Sequence, residues 1–328
     1  MTEHILHRRA ALAVAASALA AAPRPARAAW PERPVRWIVG YPAGGGTDVL
    51  ARLLGAAVSA RLGVPVVVEN RPGAATNIAA EAAANAPPDG YTVFTAGNET
   101  LVFNPALYKR LPFDADNGLR PLGLMARFHL VLCAKREGGA ADAAGFVERA
   151  RARAGALDYG SPGIGSPHHL ATERLARDLG VKLNHVPYRG MAPVMNDLVA
   201  GTVEAAVLDM AAGAEVIRSG RVRPLVLLSP ERLPAIPDVP TAAEALGLLG
   251  FEAYAWQGLT APARAPDEVC ARLTAELAAS LADPAVQGRM REIGLDPLTG
   301  GPEEQRRLIA AERDIYWPLI RQLGLSLD

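Results

Sequence analysis

The sequence contains two cysteines in 328 residues, three lysines against 31 arginines, and no formal net charge. Two cysteines cannot staple a small secreted domain, so a disulfide framework is excluded. Basic and acidic side chains both number 34. That balance leaves neither a basic stripe to displace counterions from nucleic-acid phosphates nor the acidic excess of a disordered tail. The lysines are Lys109, Lys135 and Lys182, few candidates for a Schiff base or a phosphate grip. No G-x-S-x-G elbow, no Gly-Lys-Ser/Thr after a glycine-rich turn and no H-E-x-x-H pair occur. The chain therefore lacks the signatures of α/β-hydrolases, P-loop enzymes and helix-borne zinc sites.

What is present begins with an export signal. Residues 1–28 run from MTEHILHRR through thirteen uncharged residues, 10–22, to an A-x-A step at Ala26-Arg27-Ala28. This is the order of a secretory signal peptide. Thirteen residues at about 1.5 Å each fall short of a bilayer core of about 30 Å. Arg8-Arg9 would suit a twin-arginine route, although the residues after the pair match it poorly. No cysteine follows the cleavage point, so no lipid anchor is expected there. Cleavage removes four arginines and one glutamate, leaving 30 basic against 33 acidic side chains, a net of −3. A soluble, exported chain is expected.

At roughly 100–200 residues per domain the length suggests two lobes, and half the residues are apolar, enough to fill their cores. Strand and helix signals alternate, as in a parallel sheet with helical crossovers. Strands are expected at residues 35–39, 64–69, 157–160, 184–188, 203–209 and 223–229. Helices are expected from Thr47, at 170–179, 191–200 and 211–219, and from Pro302. In the first helix Leu50, Leu53, Leu54, Ala57, Val58 and Leu62 recur at spacings of three and four. Val269, Leu273, Leu277 and Leu281 make a ridge on a late helix. Cys133 falls in an apolar strand and Cys270 on that helix, so two separate buried thiols are expected rather than a bridge. Strand-like runs at 127–134 and 251–260 flank the middle third. If both cross between lobes, residues 29–127 with 254–328 form lobe 1 and residues 128–253 form lobe 2. The result is a hinged α/β pair, with ligands held beyond the carboxyl ends of the strands.

Two segments carry the chemistry. Tyr41-Pro42-Ala43-Gly44-Gly45-Gly46-Thr47-Asp48 puts three glycines between a strand and a helix. There a backbone can approach a ligand, and the helix start favours an anion. Thr47 or Asp48 would serve as N-cap, and turn and cap alone are the simpler account. Ser161-Pro162-Gly163-Ile164-Gly165-Ser166-Pro167-His168-His169 repeats the design. Facing each other across a cleft, the loops would hold an anion by backbone N–H and hydroxyl donors. His168 and His169 point about 100° apart on a helix and do not share a metal ion; no metal and no cofactor is expected. The first loop, followed by a strand ending in Glu69, resembles a dinucleotide fingerprint. Yet Val49 stands where the third Gly or Ala belongs, and Asp48 would lie beside the pyrophosphate. Arg189 can clamp a carboxylate with two bonds or lie in solvent. Tyr188 and Trp256 suit either cleft or core, and Asp209 can simply cap the helix after it.

Taken in order, several segments carry a resemblance. They are WPERPVRWIVGYPAGGGTD, VVVENRPGAATNIAAEAAANAPPDGYT, FNPALYKRLPFD, LDYGSPGIGSPHHLA, HVPYRGMAPVMNDLVAGTVEAAVLD, LPAIPDVPTAAEA and AWQGLTAPARAPDEV. Over essentially the whole mature chain, the set resembles the periplasmic solute-binding proteins of the tripartite tricarboxylate transporter family, often called the Bug family. The resemblance implies an α/β, two-lobed periplasmic binding-protein fold (type II-like), with a hinge and an interlobe cleft. It implies capture of a small organic carboxylate in the periplasm, without catalysis, and delivery to a membrane permease or a sensor. Ligand contacts are implied, partly through ordered water, for Tyr41, Gly44, Gly45, Thr47, Asp48 and Thr100 on one lobe. On the other they are implied for Ser161, Gly165, Ser166, His168, Tyr188, Arg189 and Asp209. The chain departs from the family pattern at Leu101, where a histidine is frequent, at Ala43, where a second proline is common, and at Glu99, which replaces a small polar residue. A carboxylate at 99 disfavours a second carboxylate on the ligand, so an aromatic or amino-bearing monocarboxylate is expected. The alternative is an exported α/β enzyme acting on a small carboxylate, with His168 or Asp48 as acid–base group.

Overall fold

The structure, a computed structural model, describes residues 30–153 and 155–328. The expected signal peptide and its cleavage point lie outside the described residues. The described residues hold ten strands: β1 (Val35–Val39), β2 (Val66–Asn70), β3 (Thr92–Gly97), β4 (Leu119–Lys135), β5 (Asp158–Ser161), β6 (Asn184–Pro187), β7 (Ala205–Asp209), β8 (Val222–Leu227), β9 (Tyr254–Pro262) and β10 (Leu295–Pro297). They follow the order β2-β1-β3-β9-β4-β7-β5-β6, with β8 and β10 also paired to β4.

The long strand β4 serves two sheets. From Leu119 to His129 it pairs with β9, and around Phe128 with β10. From Leu130 onward its partners are β7 and β8. At this change of partners the Leu228 N–H donates to the Leu130 carbonyl, and the Ala253 N–H to the Leu228 carbonyl, both at 2.9 Å. Three chain segments therefore lie side by side where one sheet gives way to the other.

The expectation of a parallel sheet holds only within each half. β1 runs parallel to β2 and β3, and β5 to β6 and β7. Every pairing of β4 and β9 is antiparallel, because a chain that has built the other half re-enters its first sheet from the opposite end. β3 lies outside the expected set of strands. Its small residues suit close packing, since a Cβ at Gly97 would lie 2.1 Å from the Trp256 carbonyl oxygen on β9.

Successive side chains point to opposite faces of a strand, and here both faces are covered by helices. Trp37 packs with Leu50, Leu54, Val58, Leu273 and Leu277, from the helices Gly46–Leu62 and Asp267–Leu281. Its neighbour Ile38 packs on the other face with Phe94, Trp256 and Ile320. In the second half Leu130 and Leu132 join Leu175 and Val207, whereas Val131 and Cys133 join Val194 and Leu198. Burial on both faces explains why these strands read as continuous apolar runs. A fully buried cover residue such as Leu54 is worth about 2–5 kcal/mol against alanine. Cys133 and Cys270 are free and buried in the cores of different halves. No described helix is long and apolar enough to cross a membrane.

Candidate functional site

The first glycine loop leaves the end of β1 and enters the helix Gly46–Leu62. Gly44 has φ +83°, a left-handed conformation that favours glycine. The N-cap is Gly45 and not Thr47 or Asp48, and it has no side chain to cap with. Asp48 instead reaches backward. Its Oδ2 accepts from the Gly44 N–H at 2.9 Å and from Arg52 Nε at 3.0 Å, and its Oδ1 from Asn70 Nδ2 at 2.8 Å. Burial would raise the Asp48 pKa, but Arg52, the Gly44 N–H and Asn70 hold it below the usual carboxylate range. This ionised side chain shapes the loop. The N–H groups of the first helical turn lack intrahelical acceptors and remain the anion-favouring feature.

The second loop is held by its own side chains. Ser161 Oγ donates to the Gly163 carbonyl at 3.0 Å and bonds His185 Nε2 at 2.7 Å. Ser166 Oγ caps the helix Pro167–Leu179 by accepting from the His169 N–H. The Gly165 N–H donates to His169 Nδ1 at 3.0 Å. The His169 and His185 rings stack, with centroids 3.9 Å apart and planes 11° apart, and Tyr159 stacks on His185. Burial, helped by His185, pushes His169 down to about 3, and burial pushes His185 down to about 4. Both rings are therefore neutral near pH 7, and His169 keeps the acceptor that Gly165 requires.

A third segment, Glu99–Phe103, follows β3 as a wide helical turn with every residue buried. Its Thr100 Oγ1 lies 2.6 Å from Thr76 Oγ1. Thr76 ends a run of left-handed residues, Ala74, Ala75 and Thr76, the kind of strain that packing must hold in place. Asn104 supplies that hold by donating to the Ala75 carbonyl at 2.7 Å. Glu99 Oε2 accepts from Tyr41 Oη at 2.7 Å. Burial raises the Glu99 pKa, and the Tyr41 bond and nearby His168 oppose that rise only in part.

His168, at the start of its helix, bonds Asp209 Oδ2 through Nε2 at 3.2 Å. Asp209 also caps the helix Met210–Arg218 by accepting from the Ala212 N–H at 2.9 Å. Burial would raise its pKa, but His168 and that N–H keep it low. The halves touch around this cluster. A Cβ at Gly46 would lie 3.0 Å from the Phe128 ring and 3.2 Å from Ala211 Cβ, and one at Gly165 2.3 Å from Leu107 Cδ1. Tyr41, Glu99, His168 and Asp209 thus form a polar chain running from the first loop to the segments behind the second. It can hold or exchange protons and orient an ion, but no free nucleophilic side chain stands within it.

The other residues expected at the site have mixed placements. Gly45 is exposed and Thr47 buried at the helix start, while Thr100 faces Thr76. The hydroxyls of Ser161 and Ser166 are engaged, and so are the N–H groups of Gly163, Gly165 and Ser166, which leaves the Ile164 N–H as the donor that residues 163–166 can offer. Tyr188 donates to Asp197 at 2.7 Å and packs against Gly160. Arg189 is exposed beside the loop, where the Gly190 N–H meets the Pro162 carbonyl. Gln257, buried with an unpartnered Oε1 and acting on Tyr41, was not anticipated. Neither was His185, whose only signal is its position opposite Tyr159 in the parallel pair β5–β6.

Comparison with known proteins gives a consistent result. The pattern of the tripartite tricarboxylate transporter family receptor matches residues 50–325. The UPF0065 protein in the tcbD-tcbE intergenic region of Pseudomonas sp. strain P51 is 36% identical over 301 residues, covering 92% of this chain and 89% of that relative. R. palustris Rpa4515 with adipate superposes with a TM-score of 0.84 at 33% identity, covering 90% of this chain and 99% of that one. The periplasmic binding protein BugD gives 0.80 at 33% identity, with the same coverage.

Proposed function

The chain belongs to the tripartite tricarboxylate transporter receptor family, with its two-lobed periplasmic binding-protein fold, and we propose that it closes its cleft around one small organic carboxylate. Solute binding is the family's role, and the structural relative with adipate supports a carboxylate as the bound class. Lobe 1 is taken as residues 29–127 with 254–328, and lobe 2 as residues 128–253. The ligand's carboxylate meets the N–H groups of residues 45–47 from one side and the Ile164 N–H from the other, since the N–H groups of Gly44, Gly163, Gly165 and Ser166 already have acceptors. The free energy comes from donors fixed in advance, so that little ordering is left to pay for on closure. The observation that carries this reading is the close approach of Gly46 to Ala211, which brings together the starts of two helices from opposite lobes.

We place the mature protein in the periplasm, freed of its signal near Ala28, where it hands its ligand to a membrane permease or a sensor. It acts as a binder rather than a catalyst: Asp48, one of the two acid–base candidates, is engaged by three donors, and no free nucleophilic side chain stands beside His168 and Asp209 among the described residues. The test is native mass spectrometry of the exported protein, followed by recovery of whatever it releases. One small carboxylate per chain, recovered unchanged after incubation, is the expected result. Its conversion to a product would establish an enzyme instead.

A further inference from the structure

We infer that Glu99 receives a cationic nitrogen, so that the ligand is a small carboxylate which also carries a protonated amine. This rests on the proposed reading of the cleft as a carboxylate site. Glu99 is 9% exposed and sits just past the carboxyl end of β3, where ligands lie in sheets of this kind. Its Oε2 accepts one bond, from the Tyr41 hydroxyl, and Oε1 has no hydrogen-bond partner among the described residues. A buried carboxylate ordinarily needs a cation or several donors to offset its lost hydration. No described lysine or arginine pairs with Glu99.

Among the described residues, the basic side chain that acts on Glu99 is His168, and it is bonded to a second buried acid. Its Nε2 lies 3.2 Å from Asp209, whose side chain is 13% exposed, while its Nδ1 is buried without a partner. The cluster thus holds two carboxylates and one imidazole. Gln257 adds another acceptor: its buried Oε1 is unpartnered, and it would lie 2.8 Å from a Cβ at Gly97, two residues before Glu99. An ammonium group brings three N–H donors and a positive charge, which is what Glu99 and Gln257 lack. A second carboxylate on the ligand would bring further acceptors against Glu99 and Gln257, neither of which has a hydrogen-bond donor to give it from Oε1, whereas an ammonium supplies the donors.

Calorimetric titration of the full mature protein at pH 7.5 tests this with probes matched in length. The pairs are succinate with 4-aminobutanoate, glutarate with 5-aminopentanoate, adipate with 6-aminohexanoate, and terephthalate with 4-(aminomethyl)benzoate. In at least one pair the amino member should bind about tenfold or more tighter than the dicarboxylate, as one buried charge-assisted contact warrants. Glu99→Gln keeps the size and an acceptor for Tyr41; it should cost the amino member about tenfold and move the preference toward the dicarboxylate. Dicarboxylates that bind as tightly as their amino partners in every pair that binds, or a preference unchanged in Glu99→Gln, overturn the inference and leave the carboxylate receptor standing. Binding by no member of any pair, in protein shown folded by its thermal transition, overturns both.

Discussion

Gly46 has no side chain at a point where the two halves meet. A Cβ there would sit 3.0 Å from Phe128 and 3.2 Å from Ala211, closer than side chains normally pack. Gly46→Val is therefore expected to wedge the cleft open and weaken ligand binding by about tenfold or more, a loss of about 1.4 kcal/mol or more, while each half keeps its core. Gly45→Ala is the control, because φ there is −77° and the nearest atom to a new Cβ is 3.5 Å away. Its thermal midpoint should be unchanged. Calorimetry and thermal unfolding check both, and a Gly46→Val protein with unaltered affinity would remove the contact from the closure. The sequence showed three glycines in a row; which of them is constrained depends on Ala211, 165 residues away in the chain, and so was not legible. The polar groups of Asp48, Ser161 and Ser166 suggested ligand contacts; their partners lie 2–24 residues away, but which of them each side chain takes depends on how the loops turn.

At the scale of elements, the second loop and its helix are braced by the stacked His169 and His185 rings. Burial holds His169 at about 3 and His185 at about 4, both below the ordinary value of about 6.5. As pH falls below about 6.5, the unfolded chain takes up protons that the folded chain refuses. Stability is thus full above about 6.5 and declines as pH drops toward 4. The slope is up to about 1.4 kcal/mol per pH unit from His169, with a smaller share from the part-exposed His185. Urea unfolding at pH 7, 6 and 5 should show a falling midpoint, and His169→Gln, which keeps an acceptor for Gly165, should flatten that fall. A wild-type midpoint that does not move between pH 7 and 5 would contradict the account. The helices were readable from their three-and-four spacing, because covering a sheet requires one apolar stripe. β3 was not: TVFTAG is buried by close backbone approach to β9, and small residues leave little hydrophobic pattern.

In the whole molecule, the halves are joined where β4 changes partners. His129, the last residue of β4 paired with β9, bonds Ser229 Oγ through Nδ1 and Asp296 Oδ2 through Nε2, both at 2.8 Å. One buried ring thereby ties the segment after β8 to β10. Arg127 pairs with Glu252 beside it and lies over the Tyr254 ring. A crossing near residues 127–134 was legible from the place of that strand-like run beside the middle third; that the strand starts at Leu119 and changes partners after His129 was not. The antiparallel direction of the crossing strands was not, since periodicity carries no sign. The most direct measurement is the crystal structure of the exported protein with its co-purified ligand. The account predicts one carboxylate lying between residues 44–47 and 163–166 and touching both halves. A ligand held by one half alone, or seated in the open groove formed by Arg174, Asp178 and residues 247–251, would contradict it.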